Sequence, residues 1–162
     1  MEKSIKIIDN FLPKEEFQAI QQQICGDNFP WFYNDRISSP KDPKEYFSFF
    51  HSFYLKHEPR SKWFYLFNNL LNKINCNAIL RIKGNLQLRQ SKKRQNKMHT
   101  DYKFKHKGCV FYLNTNNGET QFKTTKVMPK ENRLVFFDPS EEHSSTVCSD
   151  KKRRITIIFN YF

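Results

Sequence analysis

Glycine is scarce in this chain, with four residues in 162, so no Gly-rich loop is available to cradle a phosphate. Long apolar runs are missing too. No stretch approaches the ~20 residues that a bilayer-spanning helix needs, and the N-terminus lacks the apolar core of a secretory signal. The expectation is a cytoplasmic protein with no membrane partner. Cysteine pairs are absent: Cys25, Cys76, Cys109 and Cys148 form no C-x-x-C and match no zinc-finger spacing. Scattered among apolar neighbours, they read as reduced, mostly buried thiols. Acidic residues are the minority, 16 against 28 Lys and Arg, which leaves a formal net charge of +12. That excess suits an acidic protein or peptide, or a nucleic acid. A solvated basic surface that keeps a domain soluble is the plainer alternative.

What is present is aromatic: 16% of the residues are Phe, Tyr or Trp, and 17 of them are Phe. A chain this apolar and this long builds a core rather than staying disordered. No internal repeat or low-complexity linker divides it. The expectation is one domain over 1–162, with a helical support region over 1–77 and a barrel core over 78–162.

Residues 4–11 read as a short strand, followed by a helix entered at Pro13, with Phe17, Ile20 and Ile24 on its buried face. Trp31, Phe32 and Tyr33 read as a core plug or a substrate lip. Pro40 to Pro43 reads as a turn. Tyr46, Phe47, Phe50, Phe53 and Tyr54 recur at near-helical spacing, although an extended reading also fits. His51 and His57 complete no ligand set and read as structural or surface residues. Ser61 is an expected N-cap for a second amphipathic helix that carries Phe64, Phe67, Leu70, Leu71 and Ile74. Strands with polar turns follow, at about 78–88, 107–113, 119–124, 133–137 and 154–162. Helices first and strands afterwards make an α+β domain, and the strand lengths suit a double-sheet barrel or jelly roll.

The chemistry gathers around His99-Thr100-Asp101. Alternate residues of a strand face one side, so His99 and Asp101 can address one ion. His143, in a polar loop after Leu134-Val135-Phe136-Phe137, is placed to be a third ligand. Read singly, His99 is equally a surface histidine and His143 a loop histidine. Together they form a 2-His-1-carboxylate set, which holds Fe(II) and leaves one face open for dioxygen and a co-substrate. A closed tetrahedral zinc site would need a fourth ligand nearby. In Arg154-Ile155-Thr156, Arg154 and Thr156 share the inward face of the last strand. A guanidinium there is costly without an anion, and a dicarboxylate supplies one through a bidentate fork. The alternative is that Arg154 only continues the basic run Lys151-Lys152-Arg153.

These residues, with Tyr112-Leu113-Asn114, Gly118-Glu119-Thr120-Gln121-Phe122 and Asn132 to Phe137, resemble the prolyl-4-hydroxylase-like branch of the 2-oxoglutarate/Fe(II) oxygenases. The chain is especially similar to short phage and microbial members. The opening Ile7-Ile8-Asp9-Asn10-Phe11-Leu12 resembles the family's first strand and turn. The resemblance implies a double-stranded β-helix with the N-terminal helices packed on one sheet. It implies Fe(II), 2-oxoglutarate and O2 as cofactor and co-substrates, with ascorbate as an accessory reductant. It makes His99, Asp101 and His143 the iron ligands and Arg154 the co-substrate anchor, supported by Thr156, with Tyr112 and Thr120 lining the pocket. Two departures stand out. Asn117 replaces the first of a common double Gly. Arg89 and Gln90 stand where many members have a tyrosine. The implied activity is hydroxylation of a C–H bond, first on a protein residue. Nucleic-acid oxidation, a non-enzymatic basic binding module on a degenerate barrel and zinc-dependent hydrolysis are the competing readings. Residues 89–98, rich in Lys and Arg, are expected to cover the substrate as a loop.

Overall fold

The computed structural model describes residues 5–37, 42–43 and 45–162. Ser4 of the expected first strand and Pro40 of the expected turn lie outside them. The chain runs through β1 (Lys6–Ile8), α1 (Lys14–Cys25), β2 (Phe32–Asn34), β3 (Ser48–Leu55) and β4 (Glu58–Pro59). A 3₁₀ segment, Lys62–Phe67, leads into α2 (Asn68–Lys73). Then come β5 (Ile79–Leu88), β6 (Arg94–Gln95), β7 (Lys107–Tyr112) and β8 (Thr120–Phe122). The chain closes with β9 (Lys126–Val127), β10 (Arg133–Phe137), β11 (His143–Val147) and β12 (Arg153–Tyr161). The architecture is mostly antiparallel β-sheet with few helices.

One sheet has the order β1-β10-β7-β12-β5-β3-β2, with β4 on the edge of β3; a smaller sheet has the order β6-β11-β8-β9. Strand periodicity splits the large sheet into two chemically different faces. On the outer face Leu86, Phe111, Leu134, Ile155, Ile157 and Phe159 join one core with Phe17, Ile20 and Ile24 of α1 and Leu70 of α2. Each fully buried Ile, Leu or Phe contributes about 1.5–3 kcal/mol, so this face fixes the sheet that carries the site. On the inner face Val110, Tyr112 and Val135 pack with Val127 and Phe122 of the small sheet. The other inner positions of β5 and β12 are polar apart from Ile158, which packs on this inner cluster.

The turn between β1 and α1 is pinned from across the fold. The Leu12 N–H donates to the Asn132 side-chain oxygen at 3.0 Å, and the Asn132 amide donates back to the Leu12 carbonyl at 2.8 Å. Asn132 sits at φ 58°, a conformation that Asn tolerates better than most residues.

Of the near-helical aromatic run, Phe50, Phe53 and Tyr54 lie in the strand β3 and Tyr46 and Phe47 just before it. A register irregularity between Ser52 and Tyr54 in the pairing of β3 with β5 breaks the period of two, so the aromatic spacing mimics a helix. Residues 1–77 therefore supply β1 to β4 as well as the helices. Ser61 caps nothing with its side chain; its hydroxyl meets His51 Nε2 at 2.8 Å, while His51 Nδ1 lies 2.8 Å from the Pro30 carbonyl. Trp31 packs beside Phe29 in the core, whereas Phe32 and Tyr33 are exposed. Among the described residues, no helix is long and apolar enough to cross a membrane.

Candidate metal and co-substrate site

The site grows from one register. In the pairing of β12 with β5, Arg154 faces Gln87, Thr156 faces Asn85, Ile158 faces Lys83 and Asn160 faces Arg81. On the other side of β12, Thr156 faces Tyr112 and Ile158 faces Val110. All these side chains lie on the inner face, and most of them line a cavity of about 620 Å³. The small sheet and the 99–101 segment form the opposite wall.

His99, Asp101 and His143 bring one ligand atom each to within 4.8 Å of one another. Backbone pairing sets this distance. His99 and His143 exchange N–H···O bonds of 2.9 Å in an isolated bridge, and the Asp101 N–H donates to the Pro139 carbonyl at 2.9 Å. Pro139 can come that close because residue 108 is glycine: a Cβ there would lie 2.0 Å from the Pro139 ring. His143 Nδ1 lies 2.9 Å from the Glu141 carbonyl. A carbonyl only accepts, so Nδ1 carries the proton and Nε2 keeps its lone pair for an ion.

Asp101 is held on both oxygens. Arg81 reaches Oδ1 at 2.8 Å, and Asn160 donates to Oδ2 at 2.9 Å. Asn160 is steadied in turn by Arg81 Nε at 3.1 Å and by His106 Nε2 at 3.1 Å. Burial pushes the Asp101 carboxyl up, but Arg81, His143 and the Asn160 hydrogen bond outweigh it and hold the group below its usual value. Burial lowers the His143 pKa; Asp101 opposes this without reversing it. Both effects keep the pair in its ion-binding protonation state near neutral pH.

Toward the other end of the cavity, Arg154 is buried, and burial lowers its pKa. Its Nη2 donates to the Thr120 hydroxyl at 3.0 Å, and the Tyr112 hydroxyl donates to the same oxygen at 2.6 Å. Arg154 Nε has no hydrogen-bond partner among the described residues. A buried guanidinium with no carboxylate partner among the described residues suits an anion. Gly118 makes room for it: a Cβ there would lie 2.8 Å from Arg154 Cδ and 2.6 Å from the Thr146 carbonyl. Arg153, by contrast, points elsewhere and donates to the Cys25 carbonyl at 2.6 Å.

Residues 86–162 match the family model of the 2OG-Fe(II) oxygenase superfamily. The matched part of the chain belongs to this superfamily. It is an oxidoreductase of the kind that uses Fe(II), 2-oxoglutarate and O2. Solved structures share its fold. A 2OG-Fe(II) oxygenase family oxidoreductase from Burkholderia pseudomallei has a TM-score of 0.70 at 11% identity, covering 99% of this chain and 85% of that one. A prolyl hydroxylase from Trichoplax adhaerens, solved with a hypoxia inducible factor oxygen degradation domain peptide fragment, has a TM-score of 0.61 at 14% identity, covering 99% and 84%. The viral collagen prolyl hydroxylase of Paramecium Bursaria Chlorella virus-1 has a TM-score of 0.51 at 16% identity, covering 99% and 91%. No curated protein matches the sequence.

The residues of this oxygenase fit its cofactors. Two imidazole nitrogens and one carboxylate suit Fe(II), and the orphaned Arg154 suits a dicarboxylate. The structure brings His99, Asp101, His143, Thr120, Arg154 and Thr156 around one cavity, with Tyr112 bonded to Thr120 behind them. Two local expectations change. His99 and Asp101 do not lie in a continuous strand: a single bridge and the Pro139 contact orient them. His143 begins β11 rather than sitting in a loop. Its strand, His-Ser-Ser-Thr-Val, is too polar for periodicity to show. The basic segment 89–98 is partly pinned: β6 pairs with β11, the Asn96 amide donates to the Ser145 hydroxyl at 2.9 Å, and the Arg94 guanidinium stacks on Tyr46, 3.3 Å from the ring centroid.

Sequence reasoning passed over Arg81, Gln87, His106 and Asn160. The alternation of Arg81, Lys83, Asn85 and Gln87 in an otherwise apolar strand was the available signal for the first two. Asn160 shares the inward face with Arg154. Nothing local marks His106.

Proposed function

We propose that this oxygenase hydroxylates a C–H bond of a protein side chain, in the manner of a prolyl hydroxylase. In this reading the two sheets form a double-stranded β-helix, and His99, Asp101 and His143 hold Fe(II) in its mouth. The observation that carries the proposal is the pairing, in one cavity, of an open 2-His-1-carboxylate cluster with a buried arginine that has no counter-ion among the described residues. When bound, Fe(II) with 2-oxoglutarate activates O2: one oxygen atom enters the substrate C–H bond and the other enters succinate, with release of CO2.

The protein's own groups set the geometry. Arg154 offers its fork to the distal carboxylate of 2-oxoglutarate. Thr120 already accepts bonds from Arg154 and Tyr112, so its hydroxyl proton is available to the same carboxylate. Thr156 lines the wall beside them. Arg81 and Asn160 fix the Asp101 carboxylate and act as positioning residues. Val110, Phe137 and Ile158 supply apolar cavity wall, which excludes water from the reacting centre. The net charge of +12 supports an acidic partner.

The test is incubation of the Fe(II)-loaded enzyme with 2-oxoglutarate, O2 and a proline-centred peptide set, with single-stranded oligonucleotides in parallel. The proposal expects succinate, and a gain of one oxygen atom on a peptide that is lost when 2-oxoglutarate is omitted. Oxygen gain on a nucleobase alone would replace it with the nucleic-acid reading.

A further inference from the structure

The cavity wall carries a lysine that the chemistry above does not use. Lys83 stands on the inner face of β5, between Ile158 on β12 and Ser52 on β3, and lines the cavity. Its neighbours Arg81 and Arg36 are each paired with a carboxylate, Arg81 with Asp101 at 2.8 Å and Arg36 with Asp35 at 3.2 Å. Lys83 has no ion pair or hydrogen bond among the described residues. Its one specific contact is with the Phe50 ring, 5.5 Å from the ammonium to the centroid. A cation–π contact steadies an ammonium without neutralising it.

The charge balance of the working site points the same way. The metal ion, Arg81, Arg154 and Lys83 are positive; Asp101 and the dicarboxylate are negative. Positive charge remains in excess with the co-substrate bound. Lys83 is also remote from the anchor. It lies four residues along β5 from Gln87, the partner of Arg154, or about 13 Å of strand. The cavity wall on this side also carries the polar Asn34 of β2, Ser48 of β3 and Asn85 of β5. The cavity volume, about 620 Å³, lies within the range of sites that hold a small molecule, and has room for a dicarboxylate and one substrate side chain.

We propose that Lys83 is the substrate-recognition residue of this site, binding a carboxylate of an acidic peptide next to the residue that is oxidised. This rests on the protein-hydroxylase reading and narrows it. A compact ammonium suits a single carboxylate. A nucleic acid would call for an aromatic platform as well; among the described lining residues Phe137 alone is Phe, Tyr or Trp, and it packs against His143 and Phe122. Burial and Arg81 lower the Lys83 pKa, with Asp101 opposing them, so the amine is also a reactive handle for chemistry.

The experiment uses a short peptide with a central proline flanked by Asp, and its twin with Asn in place of Asp. The enzyme, loaded with Fe(II) and 2-oxoglutarate under anaerobic conditions, is treated with an amine-acylating reagent, and modification of Lys83 is followed by mass spectrometry. The Asp peptide should slow acylation of Lys83 about tenfold, the size of one charge-assisted hydrogen bond, and the Asn twin should leave it unchanged. In air, the KM for the Asp peptide should rise about tenfold in Lys83→Met, and Lys83→Glu should favour a Lys-flanked peptide. Equal acylation with either peptide would overturn the proposal. Protection by 2-oxoglutarate alone would also overturn it, by assigning Lys83 to the co-substrate. Protection without oxygen gain on the peptide would keep the acidic subsite and remove the prolyl reading. Oxygen gain on both peptides, with Lys83 unprotected, would do the reverse.

Discussion

Replacing Arg154 with methionine separates a functional arginine from a structural one. The side chain is buried, has one hydrogen bond of 3.0 Å to Thr120 and leaves Nε unpartnered. A carboxylate fork would add two charge-assisted bonds of roughly 1.5–3 kcal/mol each. Arg154→Met should therefore weaken 2-oxoglutarate binding by about 3–6 kcal/mol, a factor of ~10² to 10⁴. Without co-substrate the same change removes an uncompensated buried charge. The apo variant should melt at the wild-type temperature or a few degrees above it, at about 2–4 °C per kcal/mol for a chain of this size. Thermal denaturation with and without 2-oxoglutarate reads both effects. At a hundredfold excess over the wild-type Kd the wild type should gain about 2.7 kcal/mol, or roughly 5–10 °C, and the variant at most about 0.4 kcal/mol, under ~2 °C. A variant that keeps the ligand-induced shift would refute the anchor. One that melts well below wild type without ligand would show that Arg154 serves the fold.

Four further outcomes follow from single contacts. Gly118→Ala forces a Cβ to 2.8 Å from Arg154 Cδ; it should raise the KM for 2-oxoglutarate and destabilise by about 1–3 kcal/mol, read by kinetics and thermal melting. Gly108→Ala drives into the Pro139 ring, whose carbonyl holds the Asp101 N–H; iron affinity, measured by equilibrium dialysis, should fall about 10–100-fold, as for other residues that support a ligand. Asn132→Ala loses both Leu12 hydrogen bonds and should cost about 2–4 kcal/mol by denaturant titration. The Asp9 carboxyl is lowered from 3.8 to about 2, chiefly by its hydrogen bond with Arg133. As pH falls, the unfolded chain takes up this proton first, so the stabilisation is present above pH 3.8 and disappears toward pH 2. Asp9→Asn should flatten that part of the acid-denaturation curve.

The site was more legible in the sequence than the sheet that carries it. His99-x-Asp101, His143 and Arg154-x-Thr156 have the right residue types in the right order, and the family-like flanks gave them context. The strands 107–112, 133–137 and 153–161 were clear because their apolar runs are bounded by polar turns. The β3 strand was obscured by its irregularity at 52–54, and β11 by its polar composition. The Arg81–Asp101–Asn160–His106 network joins positions far apart in the chain. No local pattern encodes it, because the pairing of β5 with β12 creates it.

The most direct test is an anaerobic titration of the Fe(II)-loaded protein with 2-oxoglutarate, following the visible charge-transfer band of the chelate in wild type, Arg154→Ala and His143→Ala. The account predicts a saturable band in wild type, a weaker apparent affinity in the first variant, and loss of the band in the second. A folded wild-type protein that retains iron and gives no band would contradict it.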